Sequence, residues 1–193
     1  MQCIRPSSLN DFIGQERVRQ VLQILCRSAK TKKTSVSHVL LSGPPGLGKT
    51  TLARIVANEM GSRLVETIGG NLQAPEQLIG LLRSLKPLDV LFIDEIHAMA
   101  RSVEEILYPA MEDNLVPVIK TESSDFMRAL GVQAKPATEM IGLPAFTLLG
   151  ASTMSGLVSA PLRSRFAHEL TLEPYSLDDL TRIVLRASRA MGV

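Results

Sequence analysis

Two patterns of hydrophobic residues alternate along this 193-residue chain. Short runs in which nearly every residue is apolar predict buried strands, and longer stretches with apolar residues at every third or fourth position predict helices. The predicted strands cover residues 38–42, 63–67, 90–93, 146–151 and 168–172. The predicted helices cover residues 16–29, 51–60, 75–85, 102–112 and 176–191. Because strands and helices alternate, we expect an α/β fold in which helices cover both faces of a parallel sheet.

A glycine-rich octapeptide, GPPGLGKT, occupies residues 43–50 between the first strand and the second helix. It fits the pattern G-x-x-x-x-G-K-T, whose glycines let successive main-chain N–H groups point at phosphate oxygens. Lys49 can reach the β- and γ-phosphates, and the Thr50 hydroxyl can bind Mg²⁺. Strand, loop and helix together predict a site for ATP and Mg²⁺. Its predicted binding residues are Pro45, Gly46, Leu47, Gly48, Lys49, Thr50 and Thr51.

A second motif indicates that the nucleotide is hydrolysed. Residues 90–93 are four apolar residues in a row, and Asp94 and Glu95 follow them directly. Such a run is typical of a strand that is buried on both faces of a parallel sheet. Open α/β sheets bind their ligands at the carboxyl ends of the strands. We therefore expect Asp94 to orient the Mg²⁺ shell and Glu95 to polarise the attacking water, as in an ATPase.

Composition narrows the class of protein further. A net charge of +2 is too small to indicate DNA binding by itself. No apolar stretch of about 18 residues occurs, so we expect no membrane helix. The first residues contain no apolar signal core, so we expect no export. Cys3 and Cys26 lack metal-binding spacing and fit reduced thiols, which favours a cytoplasmic protein.

Several further stretches are distinctive, above all EEILYPAMED at residues 104–113 and PLRSRF at residues 161–166. With them the chain resembles the RuvB family of AAA+ ATPases, whose members drive branch migration of Holliday junctions. The resemblance runs through residues 4–6, 11–15, 38–61, 89–97, 104–113, 144–151, 161–166 and 172–175.

This resemblance implies a domain layout. Residues 1–175 would form the AAA+ P-loop ATPase core, and residues 176–193 would begin a helical lid. Ser176 fits the N-cap of the lid's first helix, since Asp178 and Asp179 lie in its first turn. In the family, the rest of the lid and a winged-helix DNA-binding domain follow. We therefore expect a truncated chain, either a piece of a longer protein or a natural short relative.

The resemblance also implies roles for individual residues. Arg165 would be an arginine finger offered to the nucleotide of a neighbouring subunit, and Thr153 would sense the γ-phosphate. With Lys49 and Glu95 they form the implied catalytic set. The implied partners are further copies of the chain in a ring, a hexamer, and branched DNA. The residues implied to lie near the base, the ribose or the subunit boundary are Ile4, Arg5, Ile13, Gly14, Glu112, Asp113 and Tyr175.

Some positions depart from the family. Residues 114–143 form a longer and divergent segment, where the family has a β-hairpin that docks on its junction-binding partner RuvA. The sequence therefore does not decide whether this chain has a RuvA-like partner. Met154 stands where the family usually has an arginine, and Ala98 and Met99 replace an Arg-Leu pair. These changes concern control of the ATP cycle rather than nucleotide binding.

Three functions follow from this sequence. The favoured one is an ATP-dependent DNA motor, a Holliday-junction branch-migration helicase of recombination and repair. The first alternative is a clamp-loader-like AAA+ switch that acts on a protein partner with the same Walker residues and a trans arginine. The second is a nucleotide-binding fragment without turnover. Stimulation of hydrolysis by DNA would distinguish the motor from both alternatives.

Overall fold

Helices and strands alternate through residues 5–120 and 137–191, the part of the chain that the structure, a computed structural model, describes. The helices are α1 (Glu16–Lys32), α2 (Lys49–Met60), α3 (Pro75–Arg83), α4 (Arg101–Glu112), α5 (Ala160–Arg163) and α6 (Leu177–Met191). The strands are β1 (Val39–Ser42), β2 (Leu64–Ile68), β3 (Val90–Asp94), β4 (Leu115–Lys120), β5 (Ala137–Gly142), β6 (Thr147–Ser152) and β7 (His168–Thr171).

Five strands form a parallel sheet in the order β2-β3-β6-β1-β7. The three central strands are apolar and buried on both faces, as expected for a sheet that helices cover on both sides. The expected α/β class is therefore confirmed. In the register, Ser42 of β1 lies beside Ser152 of β6 and Thr171 of β7. The carboxyl ends of the neighbouring strands consequently meet at one edge of the sheet.

Alternate residues along the central strands supply two separate cores. On β1, Val39 and Leu41 pack with residues of α1 and α2, whereas Leu40 packs with residues of α3 and α4. On β3, Phe92 belongs to the first core and Ile93 to the second. This alternation follows from the period of two along a strand. The helices therefore form one layer on each face of the sheet.

The helix ends follow the sequence within a few residues. Helix α1 continues to Lys32 rather than ending at residue 29, and Lys33 closes it in a left-handed conformation with a φ of 55°. Basic residues in this last turn suit the negative end of the helix dipole. Ser176 caps α6 as predicted, because its Oγ accepts a hydrogen bond from Asp179 N at 3.1 Å.

The divergent segment begins and ends with strands. β4 and β5 pair antiparallel, with Leu115 opposite Gly142, and form the two arms of the hairpin expected within residues 114–143. Val116 of β4 is buried in the core on the α4 side of the sheet. Residues 121–136 of this segment lie outside the described residues. Within the described ranges, no helix has both the length and the apolar character needed to span a membrane.

A buried carboxylate fixes the start of β3. Asp89 Oδ2 accepts hydrogen bonds from Arg63 Nε at 3.0 Å, from Arg63 Nη2 at 2.7 Å and from Lys86 N at 2.9 Å. The side chain of Asp89 is 5% exposed. By contrast, the ion pair between Arg54 and Glu66 joins side chains that are 47% and 34% exposed.

We expect Arg63→Ala to lower the free energy of unfolding by about 2 kcal/mol, because the buried carboxylate loses its charged donor. The matched control, Arg54→Ala, removes a surface pair and should cost less than about 1 kcal/mol. Urea denaturation of both variants measures the difference. Equal losses would mean that Asp89 does not need Arg63.

Candidate nucleotide-binding site

The glycine-rich loop lies between β1 and the first turn of α2, which begins at Lys49. Gly43 has a φ of 135°, and a Cβ there would lie 2.5 Å from the carbonyl oxygen of Leu172. Gly48 has a φ of 97°, and its Cβ would lie 2.9 Å from the ring of Phe12. A side chain at either position would strain the backbone and displace its neighbour. The loop can therefore lie directly against the core while its N–H groups and the α2 N-terminus offer positive charge to phosphate.

Lys49 is buried beneath this loop, with 6% of the residue exposed. Its Nζ donates hydrogen bonds to the carbonyl oxygens of Gly43 at 2.7 Å and Pro44 at 3.0 Å. Burial lowers the pKa of Lys49, and the negative charges of Glu95 and Asp94 act against that shift. The ammonium is thus held within reach of the loop and of both carboxylates.

The two carboxylates stand at the end of β3, next to the end of β6. Glu95 N donates to Asp94 Oδ1 at 3.0 Å. The Oε2 atom of Glu95 accepts hydrogen bonds from Thr153 N at 3.2 Å and from Thr153 Oγ1 at 2.8 Å. The structure therefore brings together Glu95 and Thr153, which the sequence treated as separate, one for water and one for the γ-phosphate.

An open cleft of about 320 Å³ joins these groups. Both predicted Mg²⁺ ligands, Thr50 and Asp94, line it, and they offer the hard oxygen atoms that Mg²⁺ prefers. Mg²⁺ usually takes only one or two protein oxygens and completes its shell with phosphate and water, so this donor pair fits the ion. The full lining is Arg5, Gly46, Gly48, Lys49, Thr50, Thr51, Asp94 and Glu95.

The residues expected near the base adjoin the other side of the loop. Tyr175 donates its phenol proton to the carbonyl oxygen of Leu47 at 2.9 Å, and burial raises its pKa. A Cβ on Gly14, whose φ is 72°, would lie 2.8 Å from the Tyr175 ring, so this glycine allows the ring to pack closely. Ile13 lines a neighbouring cleft of about 710 Å³ beside α6, and Arg5 lines both clefts. Ile4 lies outside the described residues.

The arginine predicted to act in trans lies in a different group. Arg165 does not line the phosphate cleft. Its guanidinium carbon lies 4.1 Å from the centre of the Tyr108 ring, and its Nε lies 3.1 Å from Glu112 Oε1. Asp113 caps α4 next to Glu112, and its N donates to Pro109 O at 3.0 Å. The structure thus groups Arg165, Glu112 and Asp113 with each other and not with Lys49.

Residues 4–172 match the family model of the Holliday junction DNA helicase RuvB P-loop domain. This match covers most of the chain. The chain belongs to the RuvB family. As a member it carries a nucleotide-binding P-loop domain with the RuvB fold, in agreement with the parallel sheet and the loop geometry.

Solved structures of Thermotoga maritima RuvB are similar to this chain. One, described as a Holliday junction branch migration motor, is 42% identical, with 98% of this chain and 55% of that chain covered and a TM-score of 0.81. A single-residue variant of the same protein is 42% identical over 98% of this chain and 56% of its own, with a TM-score of 0.85. The chain therefore spans little more than half the length of these relatives.

Sequence reasoning missed two neighbours of Glu95. His97 Nδ1 lies 3.3 Å from Glu95 Oε2 and 2.9 Å from Ser152 Oγ, so His97 links the Glu95 carboxylate to the end of β6. Gly69, in the turn Gly69–Asn71 after β2, packs on the main chain of Glu95. A Cβ on Gly69 would lie 2.2 Å from the Glu95 carbonyl oxygen. Only the pairing of β2 with β3 in this RuvB fold brings Gly69 there.

Glu95 also has an unusual backbone, with a φ of 46° in the left-handed region. Few residues other than glycine adopt it without support from their surroundings. Gly69 allows that conformation because it leaves room for the Glu95 carbonyl. The carboxylate therefore depends on a glycine in the neighbouring strand connection.

We expect Gly69→Ala to reduce the rate of ATP hydrolysis by about 100-fold, because the shifted main chain moves the Glu95 carboxylate. Nucleotide affinity should change little, since the phosphate loop is untouched. Gly70→Ala is the matched control, because a Cβ at Gly70 meets no atom within 4 Å. Steady-state hydrolysis and equilibrium nucleotide binding measure both variants. Normal turnover by Gly69→Ala would show that the Glu95 backbone tolerates the shift.

Proposed function

We propose that this chain binds ATP and Mg²⁺ in the phosphate cleft and hydrolyses ATP as the ATPase domain of a ring-shaped, RuvB-type DNA motor. The observation that carries the proposal is the hydrogen-bonded pair of Glu95 and Thr153 beside the buried Lys49. These three side chains come from three neighbouring strand ends, β3, β6 and β1. A phosphate group in the cleft would be within reach of all three.

In this mechanism, Lys49 and the N–H groups of the loop bind the β- and γ-phosphates. Thr50 and Asp94 hold Mg²⁺, which neutralises charge on the phosphates when it is bound. Glu95 orients a water molecule towards the γ-phosphorus and accepts its proton as the bond to the leaving ADP oxygen breaks. Thr153 donates to Glu95 and keeps the carboxylate at this edge of the sheet.

Arg165 completes the site of a neighbouring subunit in this proposal. It follows α5 in its own chain, lies beside Tyr108 and Glu112 of α4, and does not line its own phosphate cleft. A guanidinium supplied from a neighbour stabilises the charge that develops on the transferred phosphoryl group. The site would then be active only in an assembly, for which we propose a hexameric ring.

We also propose the domain layout that the family implies, with a core at residues 1–175 and the start of a lid at residues 176–193. Helix α6 supports this layout, because it has no buried residue although it is amphipathic. Leu177, Val184 and Leu185 are 84%, 64% and 50% exposed. In a complete lid such a face would pack against further helices.

The DNA substrate and the partner protein follow from the relatives and are proposals for this chain. The similar Thermotoga protein is described as a Holliday junction branch migration motor, and we propose branched DNA as the substrate here. A RuvA-like protein would contact the hairpin of β4 and β5. The sequence of residues 114–143 diverges from the family, so this contact needs a direct test.

The rate of Mg²⁺-dependent ATP hydrolysis, with and without four-way-junction DNA, tests the proposed function. We expect hydrolysis that the junction stimulates and that Lys49→Ala abolishes, because the ammonium is the loop's only side-chain cation. A rate of hydrolysis that the junction DNA does not change would favour the clamp-loader-like switch. Tight binding without hydrolysis would favour a nucleotide-binding fragment. Full activity of Lys49→Ala would contradict nucleotide binding at this loop.

Mixed subunits test the trans arginine. We expect Arg165→Ala to lower the rate of turnover by about 1,000-fold or more with little change in nucleotide affinity. Adding subunits that carry Glu95→Gln should restore part of the activity. These subunits supply Arg165 to the neighbouring Arg165→Ala subunits, which still contain Glu95. Arg101→Ala removes a charge from a side chain that is 90% exposed and serves as the control. No recovery in mixtures that demonstrably assemble would mean that Arg165 acts within its own subunit.

A further inference from the structure

We propose that Tyr108 is a positioning residue for Arg165, and that its ring face holds the guanidinium in the orientation presented to the neighbouring subunit. This inference rests on the proposed function, in which Arg165 acts in trans. It assigns a role to the tyrosine within EEILYPAMED, the most distinctive stretch of the chain. Tyr108 does not line the phosphate cleft.

The guanidinium of Arg165 lies over the Tyr108 ring. The Cζ atom of Arg165 lies 4.1 Å from the centre of the Tyr108 ring, within the range of a cation–π interaction. Arg165 Nη1 also donates to the carbonyl oxygen of Pro161 at 2.6 Å. The side chain of Arg165 is only 22% exposed. An otherwise flexible arginine is therefore held in one place before any neighbour arrives.

The carboxylate of Glu112 is a weaker restraint. Its Oε1 lies 3.1 Å from Arg165 Nε, yet this buried N–H forms no hydrogen bond, so it does not point at the carboxylate. The Glu112 side chain is also 53% exposed, and water screens such a pair. Attraction to Glu112 can pull on the guanidinium without fixing the plane in which it lies. The ring of Tyr108, whose centre lies 4.1 Å from Arg165 Cζ, supplies the further restraint.

Tyr108 is itself anchored to the segment that carries the arginine. Its phenol donates to Glu104 Oε1 at 2.6 Å, and Ser159 Oγ donates to the same carboxylate oxygen. Ser159 is the N-cap of α5, and its Oγ accepts from Leu162 N at 3.3 Å. Glu104 thus joins the tyrosine on α4 to the start of α5, and Arg165 lies two residues beyond the end of that helix. The Glu104 carboxylate therefore fixes the position of the Tyr108 ring relative to the backbone that carries Arg165.

The remaining edge of the guanidinium is available to a ligand. Nη1 donates to Pro161 and Nε is buried 3.1 Å from Glu112 Oε1, whereas Nη2 forms no hydrogen bond within residues 5–120 and 137–191. Two donors on one nitrogen suit a phosphate oxygen of a neighbouring site. The electrostatics of the phenol agree with the contact. Burial and Glu104 raise the pKa of Tyr108, and the positive charge of Arg165 acts in the opposite direction.

Turnover of two Tyr108 variants tests the role. Tyr108→Leu removes the ring face and should lower kcat by about threefold to thirtyfold, the range that a cation–π contact is worth, with KM for ATP unchanged. Tyr108→Phe keeps the ring and should recover most of the rate. Tyr108→Leu subunits mixed with Glu95→Gln subunits should regain activity as Arg165→Ala subunits do. A normal rate for Tyr108→Leu, or no recovery in mixed assemblies, would overturn the inference.

A titration of the phenol tests the contact itself without any turnover. The chain has two tyrosines, so in a Tyr175→Phe background the ultraviolet absorbance of phenolate reports Tyr108 alone. Adding Arg165→Ala should raise the pKa of Tyr108, because the cation over its ring is gone, and circular dichroism should confirm the fold along the titration. An unchanged pKa would overturn the inference.

The trans role of Arg165 and the positioning role of Tyr108 are contradicted by different results. If Arg165→Ala keeps full turnover, the proposed trans arginine is wrong, whatever the phenol titration shows. If Arg165→Ala is inactive and Tyr108→Leu is fully active, the arginine acts without the tyrosine. In that case only the positioning role fails, and the proposed function stands.

Discussion

The site depends on the order of three parallel strands. Because β6 lies between β1 and β3, the residue after β6 stands between the phosphate loop and the carboxylates. Adjacent strands are about 4.8 Å apart, so the loop and Glu95 are separated by roughly 10 Å at the sheet edge. That span suits a triphosphate lying across the strand ends. Thr153 occupies the middle position and bonds to Glu95.

Sequence reasoning worked where a function is encoded within a few consecutive residues. The phosphate loop, the run before Asp94 and the Ser176 cap were all predictable, because local backbone chemistry decides them. It could not predict contacts between distant segments. Thr153 and Glu95 are 58 residues apart in the chain, and only the pairing of β3 with β6 brings them together. The contact of Gly69 with Glu95 depends on strand pairing in the same way.

Two separate groups of residues result from this fold. Lys49, Thr50, Asp94, Glu95 and Thr153 gather at the sheet edge within one chain. Arg165, which follows α5, forms a second group with Tyr108 and Glu112 of α4, for which the resemblance to the RuvB family implies a subunit boundary. The hydrogen bonds from Tyr108 and Ser159 to Glu104 show how that second group is held. Under the proposed function, binding needs one subunit and hydrolysis needs two.

The specific activity per subunit, measured against protein concentration, tests this division most directly. Nucleotide affinity per site should be the same at all concentrations, because one chain supplies every binding group. Specific activity should rise as subunits associate, because each active site needs Arg165 from a neighbouring subunit. The rise should follow the assembled fraction measured by analytical ultracentrifugation. A specific activity that stays constant down to concentrations at which the protein is monomeric would contradict the account.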